Sequence, residues 1–133
     1  MTQKMWEKVI KSYRISSMME MRILIPVLEK NGENSRVSPH FGRAPYLALI
    51  SVSDRKITSV DFVAGEGPHP EERSEEEKKA ASLIHQKVID LHPDIIVASR
   101  IGPRAYTDFN NAGIRVIAAD GETISQVVNS LNI

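Results

Sequence analysis

The segment Ser38-Pro39-His40-Phe41-Gly42-Arg43-Ala44-Pro45-Tyr46 places an imidazole and a guanidinium close together on a backbone stiffened by prolines. An imidazole can ligate a metal through one nitrogen while the other is held by an acceptor. A guanidinium offers a planar fork of donors to an anion. The plainer roles are that His40 caps backbone groups in a tight loop and that Arg43 forms a surface ion pair or carbonyl cap. A second cluster, Arg100-Ile101-Gly102-Pro103-Arg104, adds two more cations at the start of a helix, where backbone N–H groups favour anions. Pro103 has no N–H, so this nest is thinner than a phosphate loop. Gly42 and Gly102 read first as backbone-shape residues and second as places where a ligand can approach closely.

The remaining polar candidates have simpler readings. His69 lies between Pro68 and Pro70 in a loop, exposed to solvent or able to close over a ligand. His85 falls beside an apolar helical stripe and His92 at a helix end, both structural. Asp94 and Asp120 read as strand-start and helix-cap residues.

Composition narrows the chemistry. The 133 residues suit one domain with a single core, and 17 Lys+Arg balance 17 Asp+Glu, leaving no general field for nucleic acid or an anionic membrane. The absence of cysteine removes disulfides, thiolate nucleophiles and cluster sites built on the chain's own thiolates. No apolar run approaches the roughly 20 residues that span a bilayer, nor does the N-terminus resemble a signal peptide, so a cytoplasmic protein is expected.

The elements that must position the two clusters follow from periodicity. Residues 1–20 read as an extension, with Trp6, Val9, Ile10 and Tyr13 at helical spacing among basic residues; the domain proper is 21–133. Met21 to Leu28 is apolar on both alternating faces, as in a central strand covered on each side. Tyr46 to Val52 and Ile57 to Val63 form a hairpin across Ser53-Asp54-Arg55-Lys56, the second of them an edge strand. A helix starts between Glu71 and Glu75, with Ser74 and Glu77 as a capping box and a stripe of Ala80, Ile84, Val88 and Leu91 supported by Ala81, Leu83 and Ile89. His92-Pro93 ends it. Asp94 to Ser99 is a buried strand, Pro103 opens a helix closed by Ala112-Gly113, Arg115 to Ala119 is the last strand, and Ile124, Val127, Val128 and Leu131 mark a final helix.

The order β-β-β-α-β-α-β-α implies an α/β protein with a mixed sheet, helices on both faces and strand 2 antiparallel. With strand 1 beside strand 4, both clusters leave from carboxyl ends of neighbouring parallel strands. Open α/β sheets bind ligands in such a switch-point crevice.

The runs MRILIPV, VSPHFGRAPY, DIIVASRIGPRA and AGIRVIAADGETISQVV resemble the dinitrogenase iron-molybdenum cofactor biosynthesis family, over roughly Met21 to Leu131. The resemblance implies a three-layer α/β/α, ribonuclease-H-like domain, a five-stranded mixed sheet of order 3-2-1-4-5, and binding of an iron-sulfur or iron-molybdenum cofactor precursor during nitrogenase assembly. The family's first motif falls on Ser38, His40, Phe41, Gly42, Arg43, Ala44 and Tyr46, and the second on Ile101, Gly102, Pro103, Arg104 and Ala105. His40, Phe41, Gly42, Arg43, Arg100, Gly102 and Arg104 are the expected cofactor-binding set, with His40 the metal ligand. The chain departs from the family at Gly67-Pro68-His69-Pro70-Glu71-Glu72, where glycine-rich, sometimes His- or Cys-bearing segments occur. It also carries Ser99-Arg100 where small residues are usual; Arg100 there narrows the crevice or adds an anion contact.

A lone imidazole is a poor sole anchor for a cluster normally held by thiolates, so part of the ligand set must be external. The expected function is therefore non-enzymatic binding or carriage of such a precursor, with cofactor-assembly proteins as partners. The alternative is a sensor or regulatory module for a small anion, without metal. Two-metal phosphoryl transfer needs clustered carboxylates, and Ile23 to Val27 has none. Acyl transfer and glycoside hydrolysis lack a Ser-His-acid set and a carboxylate pair. A homodimer would protect the third strand's edge, although Lys56 and Asp61 can do the same.

Overall fold

A computed structural model describes residues 20–65 and 74–131. The proposed N-terminal helix and the His69 loop lie outside them. β1 (Met21–Val27) is the centre of the sheet because almost all its side chains are apolar; from Ile23 onward every residue is buried. It pairs antiparallel with β2 (Tyr46–Ser53), which pairs antiparallel with β3 (Lys56–Ala64). On its other side it pairs in parallel with β4 (Ile95–Val97), which is flanked in parallel by β5 (Arg115–Ile117). The strand order is β3-β2-β1-β4-β5, as the resemblance implies.

The three helices are α1 (Glu75–Ile89), α2 (Pro103–Asn111) and α3 (Ile124–Ser130). Ile23, Ile25, Ala48, Ile50, Ile95 and Val97 meet Ile124, Val127 and Val128 of α3 on one face of the sheet. On the other face Leu24, Leu47 and Ile96 meet Val88 of α1 and Ala105 and Phe109 of α2. Alternation along each strand thus builds two cores, and the domain is a three-layer α/β/α structure of the ribonuclease-H-like order.

Local chemistry accounts for the boundaries. Asp54 and Arg55 both have positive φ, 56° and 67°, which makes the predicted hairpin a two-residue turn whose twist matches the strands, although no glycine is present. Ser74 accepts from the Glu77 N–H at 3.1 Å and opens α1. Beyond α2, the N–H groups of Gly113 and Ile114 reach the carbonyls of Asn110 and Phe109, both at 3.0 Å, and Gly113 has φ 84°. That paired closure needs a left-handed residue, which glycine supplies.

Three expectations change. Of the expected α1 stripe, Ala81 and Val88 are buried and Ile89 and Leu91 pack on the core, whereas Ala80 is exposed, Leu83 is 67% exposed and His85 is turned inward. Thr123, not Asp120, caps α3, accepting from the Gln126 N–H at 3.2 Å. β4 and β5 are each shorter than expected, because the chain leaves the sheet early to form the crevice loops. Asp94 does serve at a strand start: its carboxylate accepts from the Arg22 N–H at 2.8 Å and its own N–H returns to the Arg22 carbonyl. Among the described residues no helix is long and apolar enough to cross a membrane.

Candidate functional site

The loop after β1 is anchored before it reaches His40. The chain leaves the strand, passes Asn31-Gly32, and returns so that Leu28 N–H reaches the Arg36 carbonyl and Ser38 N–H reaches the Pro26 carbonyl, each at 2.8 Å. Ser35, fully buried, satisfies itself through its hydroxyl, which accepts from the Asn31 N–H and donates to the Gly32 carbonyl. Arg36 closes the excursion by a two-pronged contact with Glu29, its shortest bond 2.8 Å. These hydrogen bonds hold Glu29 below the usual carboxylate range and Arg36 above its own ordinary value.

Ser38 then fixes His40. Its buried hydroxyl donates to the His40 carbonyl at 3.0 Å and accepts from the His40 N–H at 3.3 Å. The backbone of His40 is extended and leads into a 3-10 turn, Phe41–Arg43, which its ring does not cap. The imidazole, half-buried, makes no hydrogen bond or ion pair among the described residues, and neither do the exposed guanidinium groups of Arg43 and Arg100. The capping and ion-pair roles open to His40 and Arg43 in the sequence are therefore not taken up within those residues.

Phe41 joins the two motifs. Its N–H donates to the Arg100 carbonyl at 3.0 Å, and its ring meets Phe109 of α2 edge-on, centroids 5.5 Å apart. The buried side chain lies in the same cluster as Ala44, Ala98 and Ala105, where small residues leave room for it. The far end of the first motif is held by the Gly65 N–H on the Pro45 carbonyl at 2.8 Å. A Cβ on Gly65 would lie 2.0 Å from the Ala44 carbonyl oxygen, so glycine is obligatory there.

Gly102 is a different case. It is the N-cap of α2 with φ −70°, open to any residue, and a Cβ there would meet nothing within 4 Å. The backbone-shape reading of this glycine has no support in the described fold; what its missing side chain leaves is open space at the helix start. No side chain caps α2, so its first N–H groups face that space's end of the helix.

The structure thus brings His40, Phe41, Gly42 and Arg43 against Arg100 through one backbone hydrogen bond, with Gly102 just beyond. Arg104, by contrast, lines a groove between α1 and α2 with Lys78, Lys79, Ser82, Leu83 and Gln86, a lining that includes neither His40 nor Arg43. Two features escaped the sequence reading. Lys30 places its ammonium 5.3 Å from the Tyr46 ring centroid, adding a cation at the end of the first motif. His85, 1% exposed, holds Asp108 of α2 at 2.6 Å through Nδ1, and its ring meets Phe109 at 5.5 Å. The sequence placed His85 beside the apolar stripe as a structural residue, but gave no signal for its partner Asp108, 23 positions away.

This architecture defines a three-layer α/β/α domain with paired loops at the carboxyl ends of β1 and β4. The chain belongs to the dinitrogenase iron-molybdenum cofactor family, whose model matches residues 21–132. A Methanocaldococcus jannaschii protein, MJ0580, is 28% identical over 111 residues, covering 81% of this chain and 82% of that protein. The crystal structure of PH0822 matches with a TM-score of 0.66 at 26% identity, over 83% of this chain and 87% of that one. The apo form of the orange protein from Desulfovibrio gigas matches with a TM-score of 0.58 at 23% identity, over 81% and 83% of the two chains, a likeness of fold.

Proposed function

We propose that the chain binds and carries an iron-sulfur or iron-molybdenum cofactor precursor in the crevice between the two motif loops, without catalysing a reaction on it. The observation that carries this reading is the combination of a locked backbone and unspent side chains. The Phe41 N–H to Arg100 carbonyl bond, 3.0 Å, fixes the loops to each other, while the His40 ring and the Arg43 and Arg100 guanidinium groups engage no partner among the described residues. A fixed backbone whose neighbouring side chains are unused by the fold lowers the ordering cost of binding a ligand there.

The donor set fits a cargo that brings ligands of its own. Among the described residues no group of three His, Cys, Asp or Glu could hold a metal ion, and the chain has no cysteine. His40 would contribute one imidazole nitrogen. Arg43, Arg100 and the uncapped start of α2 would offset anionic charge. A single protein ligand suits carriage, since transfer to an assembly partner in the same compartment, here taken as the cytoplasm, requires breaking one bond from protein to metal. The second reading, a sensor for a small anion without metal, draws on the same two guanidinium groups and leaves His40 a hydrogen-bond donor.

Anaerobic loading of the full chain with ferrous iron, sulfide and molybdate, followed by visible charge-transfer absorption, separates the readings. Carriage predicts a bound chromophore that His40→Ala weakens. Binding of molybdate alone, undiminished in His40→Ala but lost in Arg43→Ala, would favour the anion sensor.

A further inference from the structure

We propose that the groove between α1 and α2 docks an acidic, amphipathic segment of a partner protein. This goes beyond cluster carriage and does not depend on it. The groove has two continuous parts. The upper one, about 570 Å3, is lined by Lys78, Lys79, Leu83 and Arg104, among others. The lower one, about 330 Å3, shares Ser82 and Gln86 with it and continues to Ile89, Asp108 and Ala112. Together they follow α1 from Glu75 to Ile89, a trough of about 21 Å from the first residue to the last at a rise of about 1.5 Å per residue. A helical segment of about 14 residues matches that length, the geometry in which an apolar face is laid between two helices.

Leu83 supplies the apolar anchor. It is 67% exposed on a face otherwise made of Lys, Glu, Ser and Gln, and its removal from water would favour association. The rim sets the sign of the partner. Over both parts Lys78, Lys79 and Arg104 stand against Glu75 and Asp108; Asp108 is already held by His85 at 2.6 Å and Lys78 by Glu75 at 3.5 Å, while Lys79 is exposed and forms no ion pair among the described residues. An acidic flank complements this rim.

Charge also argues against other occupants. The chain's own N-terminal segment carries Lys4, Lys8, Lys11 and Arg14 against Glu7, the same sign as the rim. A nucleic-acid backbone would leave the exposed Leu83 unused.

The test uses the isotopically labelled full chain and two fluorescent helical peptides of about 14 residues, sharing one apolar stripe but flanked by Glu in one and Lys in the other. The expected result is saturable binding of the Glu peptide that shifts the amide signals of Ser82, Leu83, Gln86 and Arg104, with the Lys peptide at least about ten-fold weaker. Lys79→Glu and Leu83→Asp should each weaken the Glu peptide by about ten-fold, without changing the unfolding midpoint, because both side chains are exposed. Equal affinity for the two peptides, or affinity untouched by both substitutions, would overturn the proposal. So would tighter binding of a single-stranded oligonucleotide, or shifts at these amides that track the chain's own concentration without peptide and so place a second copy in the groove.

Discussion

Ser38 and Gly65 serve the backbone of the first motif rather than a ligand, whereas Gly102 of the second motif leaves open space. The Ser38 hydroxyl brackets the His40 backbone, and Gly65 lets β3 close on the Ala44 carbonyl; both are consequences of a chain packed against itself. Gly65→Ala forces a Cβ to within 2.0 Å of that oxygen and should destabilise the domain by about 2 kcal/mol or more, read by urea unfolding. Gly102→Ala behaves oppositely. The entropic gain of about 0.4–1 kcal/mol for a glycine in an ordinary conformation is offset by alanine's poorer capping. Stability should shift by less than about 1 kcal/mol while cluster loading falls, a dissociation that a structural glycine would not produce.

The Glu29–Arg36 contact gives a pH dependence of definite sign. Hydrogen bonds from the Arg36 side chain, then from its backbone N–H, lower the Glu29 pKa from its ordinary 4.5. A carboxylate lowered in the folded state contributes stability that is complete above 4.5 and is lost as pH falls through the folded value. The pair is exposed and screened, so the effect is small. Glu29→Gln should flatten that acid limb in urea midpoints measured across it, leaving neutral-pH stability nearly unchanged.

At the scale of elements, a polar pair ties α1 to α2 beside the apolar packing of Val88, Ile89 and Leu91. Ala80 and Ile84 lie in phase with Val88 and Leu91, but the helix turns Ala81 and His85 inward because His85 finds Asp108 across the interface. Counting apolar residues cannot locate such a pair, since both members score as polar and they are 23 positions apart. Asp108→Ala removes the acceptor from a ring only 1% exposed. It should cost about 1–3 kcal/mol in urea unfolding. Because Phe109 lies between the His85 and Phe41 rings, the same substitution should broaden the amide signals of the Phe41–Arg43 turn.

Across the whole molecule, the mixed sheet with an antiparallel second strand was legible in the sequence, whereas the strand order was what the family resemblance implied. β1 declared itself central by being apolar on both faces, and Asp54-Arg55 marked the hairpin by length alone. The crevice was expected on the condition that β4 lies beside β1, and the parallel pairing of the two strands meets that condition. What could not be read was which cations share it. Arg43 and Arg104 looked equivalent as charges, but Arg104 sits on the turn of α2 that faces α1, and only helix phase decides that. The proposed account of the protein as a carrier rests on His40, the imidazole of the crevice loops among the described residues.

Pulsed EPR of the reduced, cluster-loaded full chain tests that claim most directly, because a coordinated imidazole nitrogen modulates the signal of a paramagnetic cluster. The account predicts nitrogen coupling in the wild type and its loss in His40→Gln. A loaded wild type without that coupling, or the same coupling retained in His40→Gln, would contradict it.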